Sequence, residues 1–239
     1  MKINIKIITY FLGFLLLING GFMLLTSILS FVYKDGITAD LINSGILVST
    51  IGFIILFLSR DHDKQINKRE GYLVVVLGWV FMIFSGTVPY LLTGTIDGFS
   101  NVFFETTSGF TATGATIIKD VEVLPEGILF WRSITHWLGG MGMIVFAIAI
   151  LPLLGIGGMQ LFSAESPGLN TDKLHPRITD TAKRLWLIYV SYTLIETILL
   201  NLAGMSFFDA INHSMSNIAS GGFSTKNDSL GYWNSSPLI

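Results

Sequence analysis

Five stretches of this chain are apolar over about 20 residues or more, the length that carries a helix across the hydrocarbon of a bilayer. They fall at about 3–32, 39–59, 70–92, 126–154 and 181–204. This constraint dominates all others, because in hydrocarbon every backbone N–H and C=O must be satisfied within the protein, which leaves helices or a closed barrel. Only 13% of the residues are charged and the mean hydropathy is +0.65; an ordinary soluble domain carries about twice that charged share. The predicted fold class is therefore an all-α, multi-pass membrane protein. The first run is too long for the core of a cleaved leader. A net charge of −2 gives no footing for nucleic acid. The absence of cysteine excludes disulfides, thiolate metal sites and a cysteine nucleophile together.

One segment defies the lipid. Residues 106–116 read TTSGFTATGAT, rich in threonine and glycine and without charge, between two of the apolar runs. Irregular backbone survives at membrane depth only where it is buried in protein or lines a water-filled path. A short helix over 97–108 would enter and stop midway, and GFTATGAT would return to the same side. Its inward carbonyls would offer neutral oxygen ligands to a dehydrated cation, with glycine allowing backbone angles that a Cβ forbids. An ordinary outer loop rich in turn residues is the competing reading of one such stretch.

A second copy favours the re-entrant reading. At a constant offset of 108 residues, Phe99 falls on Phe207, Ser108 on Ser216, Gly114 on Gly222 and Asp120 on Asp228. Thr106 meets Ser214 and Thr116 meets Ser224. Each copy reads as a spanning helix, a short amphipathic helix with a Gly/Ser/Thr end, and the start of a further helix. Internal repeats in transporters place the substrate path at their interface.

Basic residues give the orientation. Lys2, Lys6, Arg60, Lys64, Lys68, Arg69, Lys173, Arg177, Lys183 and Arg184, ten of the fourteen, share one side in this topology. Lys34, Lys119, Arg132 and Lys226 fall on the other. The predicted N-terminus is thus cytoplasmic, and both polar stretches open outward. Nine acids accompany the outer four bases, against six acids on the inner side. Such a surface would concentrate cations, although scattered solvated loop acids explain it equally well.

The segments HWLGGMGMIVFAIAILPLLGIGGMQLFSAESPG (136–168), FFETTSGFTATGAT (103–116) and 172–229 resemble the TrkH/TrkG/KtrB potassium-uptake family, most closely its TrkH branch. The resemblance implies four helix–pore-loop–helix repeats around one pore, with one filter glycine per repeat. It further implies K⁺ as the bound ion with no organic cofactor, membrane lipid as surroundings, and homodimers in the full-length form. A cytosolic nucleotide-binding regulatory subunit (TrkA/KtrA-like) and residence in the bacterial cytoplasmic membrane complete what it implies. Carried onto this sequence, the K⁺-binding filter is Ala112, Thr113, Gly114 and Ala115 in the first repeat, and Ser220, Gly221, Gly222 and Phe223 in the second. The implied organisation is an N-terminal helix pair (1–60), a first repeat (61–158), a cytoplasmic connector (159–178) and an incomplete second repeat (179–239). The expectation is a potassium-uptake protein, not an enzyme, present as its N-terminal half. A structural or regulatory membrane subunit without its own conduction is the alternative.

Several residues invite further readings. Glu105 and Arg132 are candidates for an ion pair bracing the loop, because an isolated charge at membrane depth is expensive; snorkelling of Arg132 to the outer interface is the alternative. Glu196, within a span, suits either proton coupling or a neutral carboxyl bonded to Ser or Thr on a neighbouring helix. His136 and His213 read as structural rather than as metal ligands. GGMG (139–142) and GIGG (155–158) let helices approach closely, or in the first case mark a bend. Of Trp79, Trp131, Trp137, Trp186 and Trp233, several lie near helix ends, where aromatic belts occur. With two walls of the implied four, the 239-residue chain expressed alone should not support K⁺ or Rb⁺ uptake in a transport-deficient host; measurable uptake there would overturn the four-wall expectation.

Overall fold

The computed structural model describes residues 3–61, 68–154 and 174–233, with the backbone alone described at 68, 143–154 and 174–181. The GIGG segment, most of the connector expected over 159–178, and residues from 234 onward lie outside the described residues. The described chain is helical throughout, with no strand among its residues. Its helices are α1 (Ile5–Tyr33), α2 (Thr38–Leu58), α3 (Lys68–Gly86), α4 (Val88–Thr93), α5 (Phe99–Phe110), α6 (Glu126–Leu154), α7 (Leu174–Leu202) and α8 (Phe207–Ile218). A 3₁₀ turn lies at Ser229–Trp233. Four helical stretches, Ile5–Tyr33, Thr38–Leu58, Arg69–Thr93 and Ala182–Leu202, are long and apolar enough to cross a membrane. Their outward side chains, among them Phe53, Leu58, Ile198 and Leu199, are exposed, as lipid-facing residues must be.

α1 and α2 form a tight antiparallel hairpin whose closeness rests on glycine. A Cβ built on Gly13 would sit 2.9 Å from the Gly52 carbonyl oxygen, and one on Gly52 would sit 2.9 Å from the Gly13 carbonyl oxygen. The backbones touch there, which small residues alone permit in lipid. At the turn, the Asp35 carboxylate accepts the Ser30 hydroxyl and the Ile37 N–H. It also reaches across to accept the Gly127 N–H in the first turn of α6 at 2.7 Å, satisfying one of the free donors at that helix start. At the opposite end, the Asn4 N–H donates to Glu70 at 2.8 Å, and Thr9 and Ser59 hydroxyls bond at 2.7 Å. The N-terminal end of α1 therefore meets the end of α2 and the beginning of α3, the side on which most basic residues fall.

α6 occupies the middle. From Gly127 to Gly139 every residue is buried, and the core gathers around Ile128, Trp131, Ile134, Trp137 and Leu138. Tyr90, Val102 and Phe110 pack onto it from the first repeat, and Tyr189 and Phe208 from the second.

Two sequence expectations change, and one is refined. The span over 70–92 is present as Arg69–Thr93, with its helix interrupted between Gly86 and Val88 because Pro89 has no N–H to offer the preceding turn. Beside the break the Thr87 hydroxyl donates to the Phe84 carbonyl at 2.7 Å. α7 begins at Leu174 rather than near 181, since its polar first two turns extend the helix beyond the apolar run. Trp131 and Trp137 belong to the core, not to an interfacial belt: their indole N–H groups donate to the Gly86 carbonyl at 3.2 Å and to the Thr193 hydroxyl at 3.1 Å. Replacing Gly52 by Val should lower stability by about 1–3 kcal/mol through forced separation of α1 and α2, read as a lower Tm in detergent. The same change at Gly21, whose Cβ would meet nothing within 4 Å, should have little effect.

Candidate functional site

The two short amphipathic helices, α5 and α8, are both twelve residues long and start 108 residues apart. Two backbone bonds recur in the loops that leave their C-terminal ends. The Ala112 N–H donates to the Gly109 carbonyl at 2.9 Å, and its counterpart Ser220 donates to Asn217 at 2.7 Å. One residue on, Thr113 donates to Ser108 at 3.0 Å and Gly221 to Ser216 at 2.9 Å. Positive φ values recur at the same positions: Ala112 (52°) with Ser220 (58°), and Gly114 (75°) with Gly222 (96°). An alanine and a serine held in this region cost free energy that glycine avoids. The recurrence shows one loop conformation built twice.

The loops touch. A Cβ on Gly114 would overlap the carbonyl oxygen of Gly221, so the first loop lies directly against the second at its glycine. Gly114 therefore needs to be glycine for two reasons, its φ and its neighbour. Among the described residues no hydrogen-bond donor reaches the carbonyl oxygens of 112–115 or 220–223. Farther along, Asn227 ties the loop ends together: it accepts the Val121 N–H at 2.9 Å and donates to the Asp120 carboxylate at 2.8 Å.

Beneath both loops lies Arg132 on α6, 1% exposed. Its Nη2 stands 2.9 Å from Glu105 Oε1 and its Nε donates to the same oxygen at 3.0 Å. Glu105, fully buried in α5, also accepts the Thr116 hydroxyl at 2.9 Å and the Ile117 N–H at 3.1 Å, both in the first loop. Arg132 Nη1 donates to the Ser224 carbonyl at 3.3 Å, and its guanidinium lies 4.1 Å from the centre of the Phe223 ring. One cation thus joins α5, the first loop and the second loop, and snorkelling to the interface does not describe it. Charge-assisted bonds of this kind are the stronger class.

The other singled-out residues take specific places. His136, one helical turn beyond Arg132, bonds Ser216 through Nδ1 at 2.9 Å and stacks on Phe223. His213 bonds Ser224 at 3.3 Å and meets Trp233 edge-on. The partner of Glu196 is neither Ser nor Thr: Asn217, at the end of α8, donates to its carboxylate at 2.5 Å. GGMG serves close packing, with Gly139 against the Phe110 carbonyl and Gly140 against Ala219 and the Tyr189 hydroxyl. No cluster of three His, Cys, Asp or Glu suited to a metal occurs among the described residues. Sequence reasoning missed Thr116 and the Phe223 ring. The offset that pairs Thr116 with Ser224 was the available signal, since both positions meet Arg132.

Known proteins share this architecture. The TrkH family profile, described as cation transport protein, matches residues 37–239. The Trk system potassium uptake protein TrkH of Salmonella typhimurium is 43% identical over 234 residues, covering 97% of this chain and 48% of the relative. TrkH of Vibrio parahaemolyticus is 44% identical over 225 residues, with 93% and 46% covered. TrkG of Escherichia coli is 35% identical over 233 residues, with 97% and 48% covered. The crystal structure of the potassium transporter TrkH from Vibrio parahaemolyticus superposes with a TM-score of 0.84 at 38% identity, covering 96% of this chain and 46% of that one. The chain spans about half the length of these relatives.

Replacing Glu105 by Gln, or Arg132 by Met, should each destabilise the protein by about 3–5 kcal/mol, because either leaves a buried charge without its partner. The double replacement should cost distinctly less than the two summed. Thermal melting of the purified variants checks this, and strict additivity would show that the pair contributes no coupling.

Proposed function

The chain belongs to the TrkH family of cation transport proteins, and from that premise we propose that it supplies two walls of a potassium pathway across the bacterial cytoplasmic membrane. Each wall is a re-entrant loop at membrane depth. Gly114 with Ala112, Thr113 and Ala115 forms one, and Gly222 with Ser220, Gly221 and Phe223 the other. The observation that carries this reading is the recurrence of positive φ at both pairs of loop positions, with the two glycine-bearing loops in direct contact. Neutral carbonyls replace the hydration shell of a potassium ion, and their field discriminates it from sodium. α5 and α8 approach the loops with their C-terminal ends, whose partial negative charge favours a cation.

In this role Glu105 and Arg132 hold the loops but do not touch the ion: both are spent on each other and on loop donors and acceptors. The end of the bundle that gathers Asn4, Ser59 and Glu70 faces the cytoplasm, in keeping with the distribution of basic residues. The full-length protein works as a homodimer with a cytosolic nucleotide-binding regulatory subunit, as the family resemblance implies. The chemistry is ion transport, with no reaction catalysed.

In the full-length protein, Gly114→Ser and Gly222→Ser should each lower the K⁺/Na⁺ selectivity of uptake by about tenfold or more, equivalent to about 1.4 kcal/mol of discrimination. Competitive uptake of the two ions in a transport-deficient host measures it. Selectivity unchanged in both variants, with the proteins at normal membrane levels, would reassign the chain to a structural or regulatory subunit.

A further inference from the structure

The peptide plane between Gly221 and Gly222 is set by a chain of contacts that begins on α6. The Gly222 N–H donates to Ser216 Oγ at 3.0 Å. A peptide unit is planar with its N–H and C=O opposed, so fixing this N–H directs the Gly221 carbonyl the opposite way. That oxygen is the one Gly114 lies against. Ser216 stands in the last turn of α8, where a serine hydroxyl ordinarily bonds back to the preceding turn, as Ser214 does to the Ala210 carbonyl at 2.7 Å. The Ser216 hydroxyl is instead engaged by His136 Nδ1 at 2.9 Å. His136 is fully buried, its ring lies nearly parallel to Phe223 with centroids 3.9 Å apart, and a Cβ on Gly221 would overlap that ring.

We propose that His136 is a positioning residue for the second loop: its ring, protonated at Nε2, accepts the Ser216 hydroxyl at Nδ1 and turns Ser216 Oγ to receive the Gly222 N–H. The Gly222 N–H can only donate and Ser216 Oγ carries one proton and two lone pairs, so in this arrangement the hydroxyl proton goes to the ring nitrogen, while the Nε2 proton is buried without an acceptor among the described residues. Arg132 grips the same loop one turn away on α6, through the Ser224 carbonyl and the Phe223 face. A neutral ring at 136 avoids a second buried cation beside it. α6 thus holds the loop at both ends of the segment 221–224. In the first copy Ser108 Oγ, the counterpart of Ser216, is buried with no hydrogen-bond partner among the described residues, so the relay is a property of the second loop.

The relay rests on the loops being an ion path, and the test separates the two. K⁺/Na⁺ selectivity is measured in the full-length protein for Gly222→Ser, His136→Leu, His136→Asn, Ser216→Ala and the double variant His136→Leu/Ser216→Ala. Loss of the relay should lower selectivity by about tenfold in His136→Leu and in Ser216→Ala, with no further loss in the double variant. Asparagine, whose Oδ1 takes the place of Nδ1, should stay within about threefold of wild type. If Gly222→Ser lowers selectivity and His136→Leu, present at normal membrane level, does not, the relay is rejected and the ion path stands. If Gly222→Ser has no effect the relay is rejected, and if Gly114→Ser has none either the ion path is rejected with it. Additive losses in the double variant also reject the relay. Should His136→Leu fail to accumulate, Ser216→Ala, which removes only a hydroxyl, decides by the same criterion. Nitrogen-15 NMR of histidine-labelled protein gives an independent readout: an Nε2-protonated tautomer at position 136 supports the relay, and an Nδ1-protonated one overturns it.

Discussion

A guanidinium enclosed by protein has no water to fall back on, so whatever surrounds it must supply its counter-charge and its acceptors. Arg132 meets that demand by drawing three separate parts of the chain to one point: Glu105 from α5, Thr116 from the first loop and the Ser224 carbonyl from the second. Glu105 in turn spends its remaining lone pairs on the first loop. Removing either charge would strand the other, and with it one of the links between the two repeats. A buried ion pair adds little net stability over well-packed apolar groups, but it tolerates few alternative arrangements. Here that intolerance fixes how two loops of irregular backbone sit against one another.

The loops themselves illustrate how strain is held in place. Ala112 and Ser220 adopt a conformation that glycine would adopt at lower cost. Each is anchored by the bonds that close its helix, from 112 to 109 and from 220 to 217, and by the neighbouring bond one residue on. The packing around them is less symmetrical than the backbone. Ser216 is engaged by His136 while Ser108 has no partner among the described residues, and position 105 carries the acid where the second copy has His213. Identical loop geometry is thus supported by different side chains in the two copies.

Much of this was legible in the sequence, for a physical reason. Long apolar runs in a bilayer admit one secondary structure, so the helices over 5–33, 38–58 and 126–154 lie within two residues of where hydropathy put them. The 108-residue offset survived because backbone angles at Gly114 and Gly222 demand glycine, and that demand leaves a mark in the letters. The Glu105–Arg132 pairing was also readable, since charges are too costly in lipid to be idle. What could not be read depends on which surfaces meet. Hydropathy gives Trp131 and Trp137 no address, and only tertiary packing sends their indoles inward to Gly86 and Thr193. The Asn217 amide at Glu196 comes from a helix end whose approach no periodicity encodes.

The Asp35 carboxylate that accepts the Gly127 N–H lies 92 residues earlier in the chain than the helix it caps. A ribosome delivers the N-terminal hairpin first. When α6 emerges, with Arg132 in its second turn, the residue that accepts from its first turn has already been synthesised. The hairpin is then more than an added pair of spans, because the helix that carries the buried arginine is tied at its start to the earliest part of the chain.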